Sequence, residues 1–316
     1  MKRVVFMGTP EFAVPSLEAL AQRFEVVGVY TQPDKPVGRG QELRPTPIKA
    51  KALELGIPVF QPLKLSLPGE FEKLQELRPD VIVVVAYGQI LRRNVLDLPP
   101  LGCVNVHSSL LPRWRGAAPI QWAILAGDSE TGVCTQRMAE KLDAGEVLLS
   151  SRTPISSDET AGTLHDRLSL LGATLVVPTV EGLIAGTLPG QVQDESLVTY
   201  ASKLTKEMER LDWEKASALE LDRQVRALNP WPGTRLLTES GERLKVKRAR
   251  ARTDVSGAVG TLFERAGMVF VGTRDGALEC LSLQWDGKRE VDGAGFVNGL
   301  KGRGQGLPLR LKKEQD

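Results

Sequence analysis

Short apolar runs alternate with segments of helical periodicity through the first 185 residues of the chain. Runs rich in Val, Ile and aromatic residues predict strands at 3–7, 26–30, 80–86 and 102–107. Residues 11–23 have helical spacing, and residues 160–183 predict a long helix with Ser157 or Asp158 as its N-cap. This alternation is typical of parallel sheets with right-handed crossovers, so we expect an α/β domain with a doubly wound, mostly parallel (Rossmann-like) sheet.

The helical periodicity fades at about residue 186, where Gly186, Pro189 and Gly190 mark a linker. Short strand-like runs then follow at 244–246, 268–271 and 278–283, separated by turns rich in Gly, Asp and Ser. No helical crossover pattern recurs there, so we predict a small all-β barrel (OB-like) as the C-terminal domain. The expected organisation is a first domain over residues 1–188, a linker over 189–206 and the barrel over 207–316.

Composition limits the class of protein. The 316 residues are 41% hydrophobic and 25% charged, as in soluble globular proteins, and no run of about 18 apolar residues predicts a membrane span. Three widely spaced cysteines suit a reducing cytoplasm rather than a disulfide framework. No hydrophobic stripe demands a partner, so we expect a monomer.

The net charge of +2 is unevenly distributed along the chain. Residues 206–316 hold 21 Lys and Arg against 17 Asp and Glu, whereas the rest of the chain is slightly acidic. The positive potential therefore lies in the C-terminal third, which is the part that we expect to contact a polyanion.

Candidate chemistry is concentrated between Asn105 and Gly116. Positions two apart on a strand point to one face, so Asn105 and His107 project together where their strand ends, and ligands of open parallel sheets bind beyond such ends. A carboxamide can donate to an oxyanion and an imidazole can move a proton, so the pair suits acyl transfer. A bare Asn-x-His motif can also be structural, with His107 capping a buried strand and Asn105 satisfying backbone groups in a turn.

Other familiar sites are not indicated. Gly8-Thr-Pro is not the glycine pattern of a dinucleotide site, and no phosphate-binding loop motif occurs, so no nucleotide cofactor is expected. Cys103 and His107 lack a second ligand pair nearby, so no metal is expected.

The longer string Asn105-Val-His107, Ser109-Leu110-Leu111-Pro112 and Gly116 resembles the signature of the 10-formyltetrahydrofolate-dependent formyltransferases. In that family the Asn and His are catalytic, and a later Asp in an Asp-x-Gly context completes the set. Asp143, followed by Ala144 and Gly145, stands at the matching place. The resemblance implies 10-formyltetrahydrofolate as formyl donor, with Ser109, Leu110, Leu111 and Pro112 lining the folate site.

The resemblance covers nearly the whole chain. It is closest to the family members that formylate methionyl-initiator tRNA, in the segments 7–12, 30–40, 113–121, 193–200 and 229–232. It therefore implies that the acceptor is the free amino group of methionyl-initiator tRNA and that the product, N-formylmethionyl-tRNA, serves translation initiation. The family also formylates small amines, so a folate-dependent enzyme for an aminosugar nucleotide is the alternative. A non-catalytic RNA-binding protein with a decayed site is a third hypothesis, against which the presence of all three residue types argues.

Residues 31–47 form a long connection that follows a strand and carries Lys35, Arg39 and Arg44. Its length makes it a candidate binding loop. The resemblance implies that it enters the acceptor end of the tRNA, with Arg39 as the critical contact. A flexible surface loop is the other interpretation.

Residues 243–252 alternate six basic residues with small or apolar ones, among them Lys245, Lys247 and Arg248. The alternation changes phase between Lys247 and Arg248, so one face can carry all six only if the strand has a bulge or bend. On an all-β module such a strand suits contact with a phosphate backbone. A solvated edge strand protected by charge is the alternative.

Overall fold

A computed structural model of the chain describes residues 2–37 and 42–313. It divides into two compact units. The first comprises the described residues up to 119, with 130–154 and 165–201. The second comprises 120–129, 155–164 and the described residues from 202 onward.

The elements before residue 202 include eleven strands and six helices. In chain order they are β1 (Arg3–Gly8), α1 (Val14–Arg23), β2 (Glu25–Tyr30), β3 (Lys35–Val37), β4 (Glu42–Arg44), α2 (Pro47–Glu54), β5 (Val59–Phe60), α3 (Glu70–Glu76), β6 (Val81–Val85), α4 (Arg93–Leu96), β7 (Cys103–His107), β8 (Arg115–Gly116), α5 (Pro119–Ala126), β9 (Glu130–Arg137), β10 (Val147–Pro154), α6 (Ala161–Ala185) and β11 (Tyr200–Ala201).

Seven strands form the main sheet of the first unit, in the order β10-β9-β7-β6-β1-β2-β5. The strands from β7 to β5 pair in parallel, whereas β9 pairs antiparallel with both β7 and β10. The strand order reverses between β1 and β6, which makes the sheet doubly wound. The predicted mostly parallel, Rossmann-like fold is therefore confirmed, with an antiparallel extension at one edge.

Burial explains the apolar runs of this sheet. All five residues of β6 are buried, as expected for a strand covered on both faces. On one face, α6 packs closely because residue 172 is glycine, where a Cβ atom would lie 3.0 Å from Val106. The Thr179 and Thr135 hydroxyls also meet, at 2.8 Å.

The long predicted helix is present as α6, but it begins differently. Thr160 precedes its first residue and accepts a hydrogen bond from the Thr163 N–H, so Thr160 takes the capping position predicted for Ser157 or Asp158. By length and composition alone this 25-residue helix could cross a membrane, which the sequence analysis did not expect. Its hydroxyl contacts to the sheet are those of a helix packed in a protein core.

The second unit is built on an antiparallel sheet. Its elements are α7 (Ala218–Ala227), β12 (Thr234–Leu237), β13 (Arg243–Arg252), β14 (Thr261–Arg265), β15 (Met268–Thr273), β16 (Gly276–Trp285), β17 (Val291–Asp292), α8 (Gly293–Gly302) and β18 (Leu309–Arg310). The order is β12-β13-β16-β15-β14-β18, with β17 paired to β16. A bridge between Thr238 and Leu311 connects the two ends of this order, so the sheet curls on itself as predicted for a small barrel.

Two helices of the second unit were not predicted. Helix α7 has a complete capping box, in which Ser217 Oγ accepts from the Glu220 N–H and the Glu220 carboxylate accepts from the Ser217 N–H. That Ser-x-x-Glu pattern is a recognisable helix start. Helix α8 contains four glycines, which have low helix propensity, and its start is capped by Asp292.

Replacing Ser217 with Ala is expected to lower the unfolding free energy of the second unit by about 1 kcal/mol, because the Glu220 N–H at the start of α7 loses its acceptor. Replacing it with Gly should cost only a few tenths of a kcal/mol. Chemical denaturation followed by tryptophan fluorescence measures both variants. Equal stability of S217A and the wild type would contradict a stabilising role for the box.

Candidate active site

The carboxyl end of β7 carries Asn105 and His107 on one face of the sheet. Asn105 is half-buried, and its carboxamide forms no hydrogen bond within residues 2–37 and 42–313. His107 is 6% exposed. The sequence analysis predicted this shared face, and a carboxamide free of protein partners remains available to a ligand.

The imidazole of His107 is oriented by a backbone carbonyl. Its Nε2 lies 2.9 Å from the Trp114 oxygen. Because a carbonyl oxygen can only accept, Nε2 carries a proton and Nδ1 is the nitrogen that gains or loses one. Nδ1 lies 3.9 Å from Asp143 Oδ1, which allows attraction to an imidazolium but is too long for a hydrogen bond.

The Asp143 carboxylate is held by two other donors. Its Oδ2 accepts from the Gly116 N–H at 2.9 Å, and its Oδ1 accepts from Gln136 Nε2 at 3.0 Å. Asp143 has a φ of 47°, a left-handed conformation that Asp tolerates better than most residues. The three residues of the predicted set are therefore together, although the ring is oriented by Trp114 rather than by Asp143.

Gln193 supports the loop of Asp143 from behind. Its Nε2 donates to the carbonyl oxygens of Asp143 and Gly145, at 2.8 and 2.7 Å. Its Oε1 accepts hydrogen bonds from the guanidinium of Arg115, a residue that is 0% exposed. A buried guanidinium thus fixes the orientation of the amide that holds this loop.

The charge of Arg115 is balanced by Glu195, with 2.8 Å between Nη2 and Oε1. Hydrogen bonds from Arg115 and then Lys141 lower the pKa of Glu195 to about 2, so the carboxylate is ionised at neutral pH. Arg115 and Gln193 lay within segments that carried the family resemblance, but the sequence analysis assigned them no role.

The segment predicted as a linker lies partly within the first unit. Strand β11 pairs in parallel with β8, so Tyr200 and Ala201 align with Arg115 and Gly116. The Trp114 N–H also donates to Thr199 Oγ1, at 2.9 Å. These contacts secure the short segment that supplies the Trp114 carbonyl and the Gly116 N–H.

Three of the four residues predicted to line the folate site border one cavity of about 240 Å³. Leu110, Leu111 and Pro112 form one side of it, and the remaining lining residues are Val147, Ser150, Arg152, Gln191, Val192, Gln193, Asp194 and Leu197. Ser109 is fully buried, and its hydroxyl donates to the Arg113 carbonyl oxygen, so it shapes the loop. Within the described ranges, no group of three or more His, Cys, Asp or Glu residues is placed to hold a metal ion.

Residues 31–47 contain a short hairpin rather than an unstructured loop. Strands β3 and β4 pair with Lys35 directly opposite Arg44, and both side chains are exposed. At the base of the hairpin, Asp34 pairs with Lys49, and hydrogen bonds from Lys49 and Gln61 lower the pKa of Asp34. Arg39, the predicted critical contact, lies outside the described residues.

The basic segment is strand β13, and it has the bulge that its sequence requires. The pairing with β16 shifts register between Val246 and Arg248 and again after Arg248. Arg243, Lys245, Arg248 and Arg250 are exposed, whereas Lys247 at the bulge is half-buried. Strand β12 pairs with residues 243–246 of β13, whereas residues 248–252 pair with β16 alone, so the edge-strand alternative is excluded only for the first half of the strand.

The cations of β13 differ in how far they are neutralised. Lys245 lies 3.5 Å from Asp286, and Arg252 bridges Asp254 and Glu279. Arg248 forms no ion pair with any residue that the structure describes. Of the three residues of β13 predicted to bind tRNA, Arg248 is thus both exposed and without an ion-pair partner among the described residues.

Gln136 is a further residue of the site that the sequence did not reveal. It lies directly opposite Asn105 in the antiparallel pairing of β7 with β9. The register of that pairing cannot be read from the sequence. Strands β7 and β9 are separated in the chain by β8 and α5, and the sheet was expected to be mostly parallel.

Two family models match the chain: Formyl transferase over residues 1–180, and Formyl transferase, C-terminal domain, over residues 203–301. A methionyl-tRNA formyltransferase from Symbiobacterium thermophilum is 51% identical, over 95% of this chain and 93% of its own length. The chain belongs to the methionyl-tRNA formyltransferase family. A second relative of that name, from Stutzerimonas stutzeri, is 52% identical and covers 92% of each chain.

Solved structures with the same fold include other formyltransferases. WlaRD, a sugar 3N-formyl transferase studied in the presence of dTDP and 5-N-formyl-THF, matches with a TM-score of 0.67 at 18% identity. It covers 92% of this chain and 99% of its own. HypX from Aquifex aeolicus in complex with tetrahydrofolic acid matches with a TM-score of 0.63, over 99% of this chain and 52% of its own.

Replacing Gly145 with Ala is expected to displace the Asp143 loop, because the new Cβ atom would lie 1.7 Å from the Arg137 carbonyl oxygen. We expect a loss of about 1–3 kcal/mol in stability together with reduced activity, measured by thermal denaturation and turnover. The matched control is Gly306→Ala, where nothing lies within 4 Å of the new atom. Unchanged turnover in G145A would show that the loop tolerates the shift.

Proposed function

We propose that the protein transfers the formyl group of 10-formyltetrahydrofolate to the free amino group of methionyl-initiator tRNA, giving N-formylmethionyl-tRNA for translation initiation. The observation that carries the proposal is the meeting of Asn105, His107 and Asp143 at the carboxyl end of β7, one strand from the switch point between β1 and β6. Identity of 51% over 95% of the chain with a relative named methionyl-tRNA formyltransferase, which extends through both family models, supports this acceptor.

Asn105 stabilises the oxyanion that forms when the amine attacks the formyl carbon. A neutral carboxamide offers an N–H at a fixed place without requiring reorganisation during the reaction, and such donors act most strongly where water is excluded. Within the described residues no protein group accepts a hydrogen bond from the Asn105 carboxamide, so its N–H remains available.

His107 moves the proton between the two nitrogen atoms of the exchange. Because Nε2 donates to the Trp114 carbonyl, Nδ1 of the neutral ring has a free lone pair. Nδ1 takes the proton that the attacking amine loses and returns it to the nitrogen that leaves. The oxyanion then collapses to a carbonyl, and the bond from the formyl carbon to the leaving nitrogen breaks. The proton returned from Nδ1 leaves that nitrogen neutral, so charge and protons balance.

Asp143 stabilises the imidazolium that exists between these two transfers. Its carboxylate faces Nδ1 across 3.9 Å, and both side chains are largely buried, so the attraction is screened less than in water. Asp143 acts through His107 and does not need to contact the substrates.

The donor is a substrate that supplies the formyl group. The cavity beside Leu110, Leu111 and Pro112 combines apolar walls with amide and hydroxyl groups, as sites for small organic molecules generally do. These residues form one wall of the proposed folate site, and Ser109 maintains their loop.

The acceptor is recognised through two sets of cations, one on the β3–β4 pair and one on β13. Lys35 and Arg44 face each other across the β3–β4 hairpin, an arrangement that is unfavourable by itself and is relieved by an anion between them. Arg39 is proposed as a further contact. Arg248, with Lys245 and Lys247, provides a second set that positions the phosphate backbone without reading sequence.

The proposal includes a monomer acting in the cytoplasm, where charged tRNA is available. Three buried thiols are compatible with a reducing compartment. An enzyme for a small amine, the alternative acceptor class, would have no need for the exposed cations of β13.

Substituting Asn105 with Ala should lower kcat about 10²- to 10³-fold through loss of an oxyanion donor. Substituting His107 with Ala should lower it about 10²- to 10⁴-fold through loss of proton transfer. The assay follows formylation of methionyl-initiator tRNA with 10-formyltetrahydrofolate. His165→Ala, which removes the other histidine of the chain, is the matched control and should retain activity.

No N-formylmethionyl product from wild-type protein, with a verified donor, would refute the proposed function. Product formed equally well on an aminosugar nucleotide, and without dependence on the second unit, would favour the small-amine enzyme. Full activity of N105A would remove Asn105 from the mechanism.

Neutralising the cations of β13 should weaken tRNA binding and flatten its dependence on salt, because each phosphate contact contributes roughly 0.7–0.9 to the logarithmic slope. Arg248→Ala should have a larger effect than Lys245→Ala, since Lys245 is already close to Asp286. Lys301→Ala, which removes an exposed cation from α8, is the control. Equal affinities and slopes across the series would mean that β13 does not contact RNA, and folate binding should be unaffected throughout.

A further inference from the structure

Two carboxamide side chains, those of Asn105 and Gln136, lie side by side in the site, and only Asn105 has been assigned a role. The β7–β9 pairing aligns Asn105 with Gln136 and His107 with Cys134. Side chains directly opposite in an antiparallel pair lie on the same face of the sheet. Gln136 therefore belongs to the face on which the proposed chemistry takes place, and it is 1% exposed.

The contact with Asp143 determines how the Gln136 amide is turned. Its Nε2 lies 3.0 Å from Asp143 Oδ1, and a carboxylate oxygen can only accept, so the amide must direct its N–H groups to this side. Oδ1 is also the carboxylate oxygen nearest to Nδ1 of His107. Gln136 thus holds the oxygen that faces the imidazole.

The other end of the same amide has no partner. Gln136 Oε1 is buried and accepts no hydrogen bond from any residue that the structure describes. A buried carbonyl oxygen without a hydrogen-bond partner lowers the stability of the folded protein. Methionine or leucine would fill the same space without that loss of stability. A residue selected only to pack β9 would not need this amide, so its contact with Asp143 is the feature to explain.

We propose that Gln136 is a positioning residue for the reaction, which acts by holding Asp143 Oδ1 towards His107. This inference rests on the proposed formyl transfer. Without Gln136, the Gly116 N–H would still hold Oδ2, but the carboxylate could turn about that one contact. The imidazolium formed during proton transfer would then lose part of its stabilisation, while binding of either substrate would be unaffected.

Three variants test the role of Gln136. Gln136→Met retains the volume and removes the hydrogen bond. Gln136→Glu retains the donor only while the new carboxyl shares a proton with Asp143, and loses it when both ionise. Thr135→Val is the matched control, because Thr135 is the adjacent residue of β9, points to the opposite face and bonds Thr179 there.

We expect Q136M to lower kcat about 10- to 100-fold, the equivalent of one hydrogen bond to a charged group, with unchanged KM for both substrates. Activity of Q136E relative to wild type should fall as pH rises. While the new carboxyl and Asp143 share one proton, they keep a donor and an acceptor, as Gln and Asp do. When both carboxyls are ionised, the donor is lost. The other titratable groups on this face are His107, which wild type shares, and Cys134, whose pKa burial raises to about 12. T135V should lose thermal stability but retain kcat and the wild-type pH profile.

Wild-type kcat and pH profile in Q136M, corrected for the folded fraction, would overturn the proposal. An equal loss in T135V would do the same, since it would trace the effect to the sheet. If Q136M does not fold, the pH dependence of Q136E activity tests the proposal instead. A pH profile of Q136E parallel to that of wild type would refute the positioning role of Gln136. Failure of wild-type protein to formylate any acceptor would instead count against the proposed function, so the two failures are distinguishable.

Discussion

The hydrogen bond from the Gly116 N–H to the Asp143 carboxylate connects the loop after β7 with the loop after β9, and the site depends on it. Two residues earlier, the Trp114 carbonyl accepts from the imidazole of His107. One short segment thus sets both the tautomer of the ring and the place of the carboxylate. That segment is in turn secured by backbone pairing between β8 and β11 and by the Thr199 hydroxyl.

The C-terminal sheet illustrates a different constraint, because its charged strand changes surroundings part-way along. Residues 244–246 of β13 pair with both β12 and β16, whereas residues 248–252 pair with β16 alone. The buried apolar side chains of the first half are Leu244 and Val246. The bulge at Lys247 restores an outward direction to Arg248 and Arg250 after the change of phase, which concentrates positive charge on the solvent face.

Local patterns were sufficient to predict several of these features. The shared face of Asn105 and His107 follows from strand geometry, and the bulge of β13 follows from a phase error in its alternation. Gln136 and Gln193 could not be found in this way. Gln193 contacts the Asp143 loop from 50 residues further along the chain. Gln136 is near Asp143 in the chain, but only the pairing of β7 with β9 brings it opposite Asn105. Helix α7 could have been recognised from its capping box, whereas α8 is rich in glycine and forms through packing of Phe296, Val297 and Leu300.

Residues 191–201, predicted as part of a linker, belong to the first unit. Their position affects where such a chain could be divided into separate modules. A catalytic module that ended at residue 188 would lack Gln193, Thr199 and β11, and with them the supports of the Asp143 loop and of β8. Recombination that exchanged the chain from this region onward would therefore preserve the contacts around Asp143 only if the crossover lay beyond Ala201. The stretch that looks most like a tether is, in physical terms, the last part of the catalytic module.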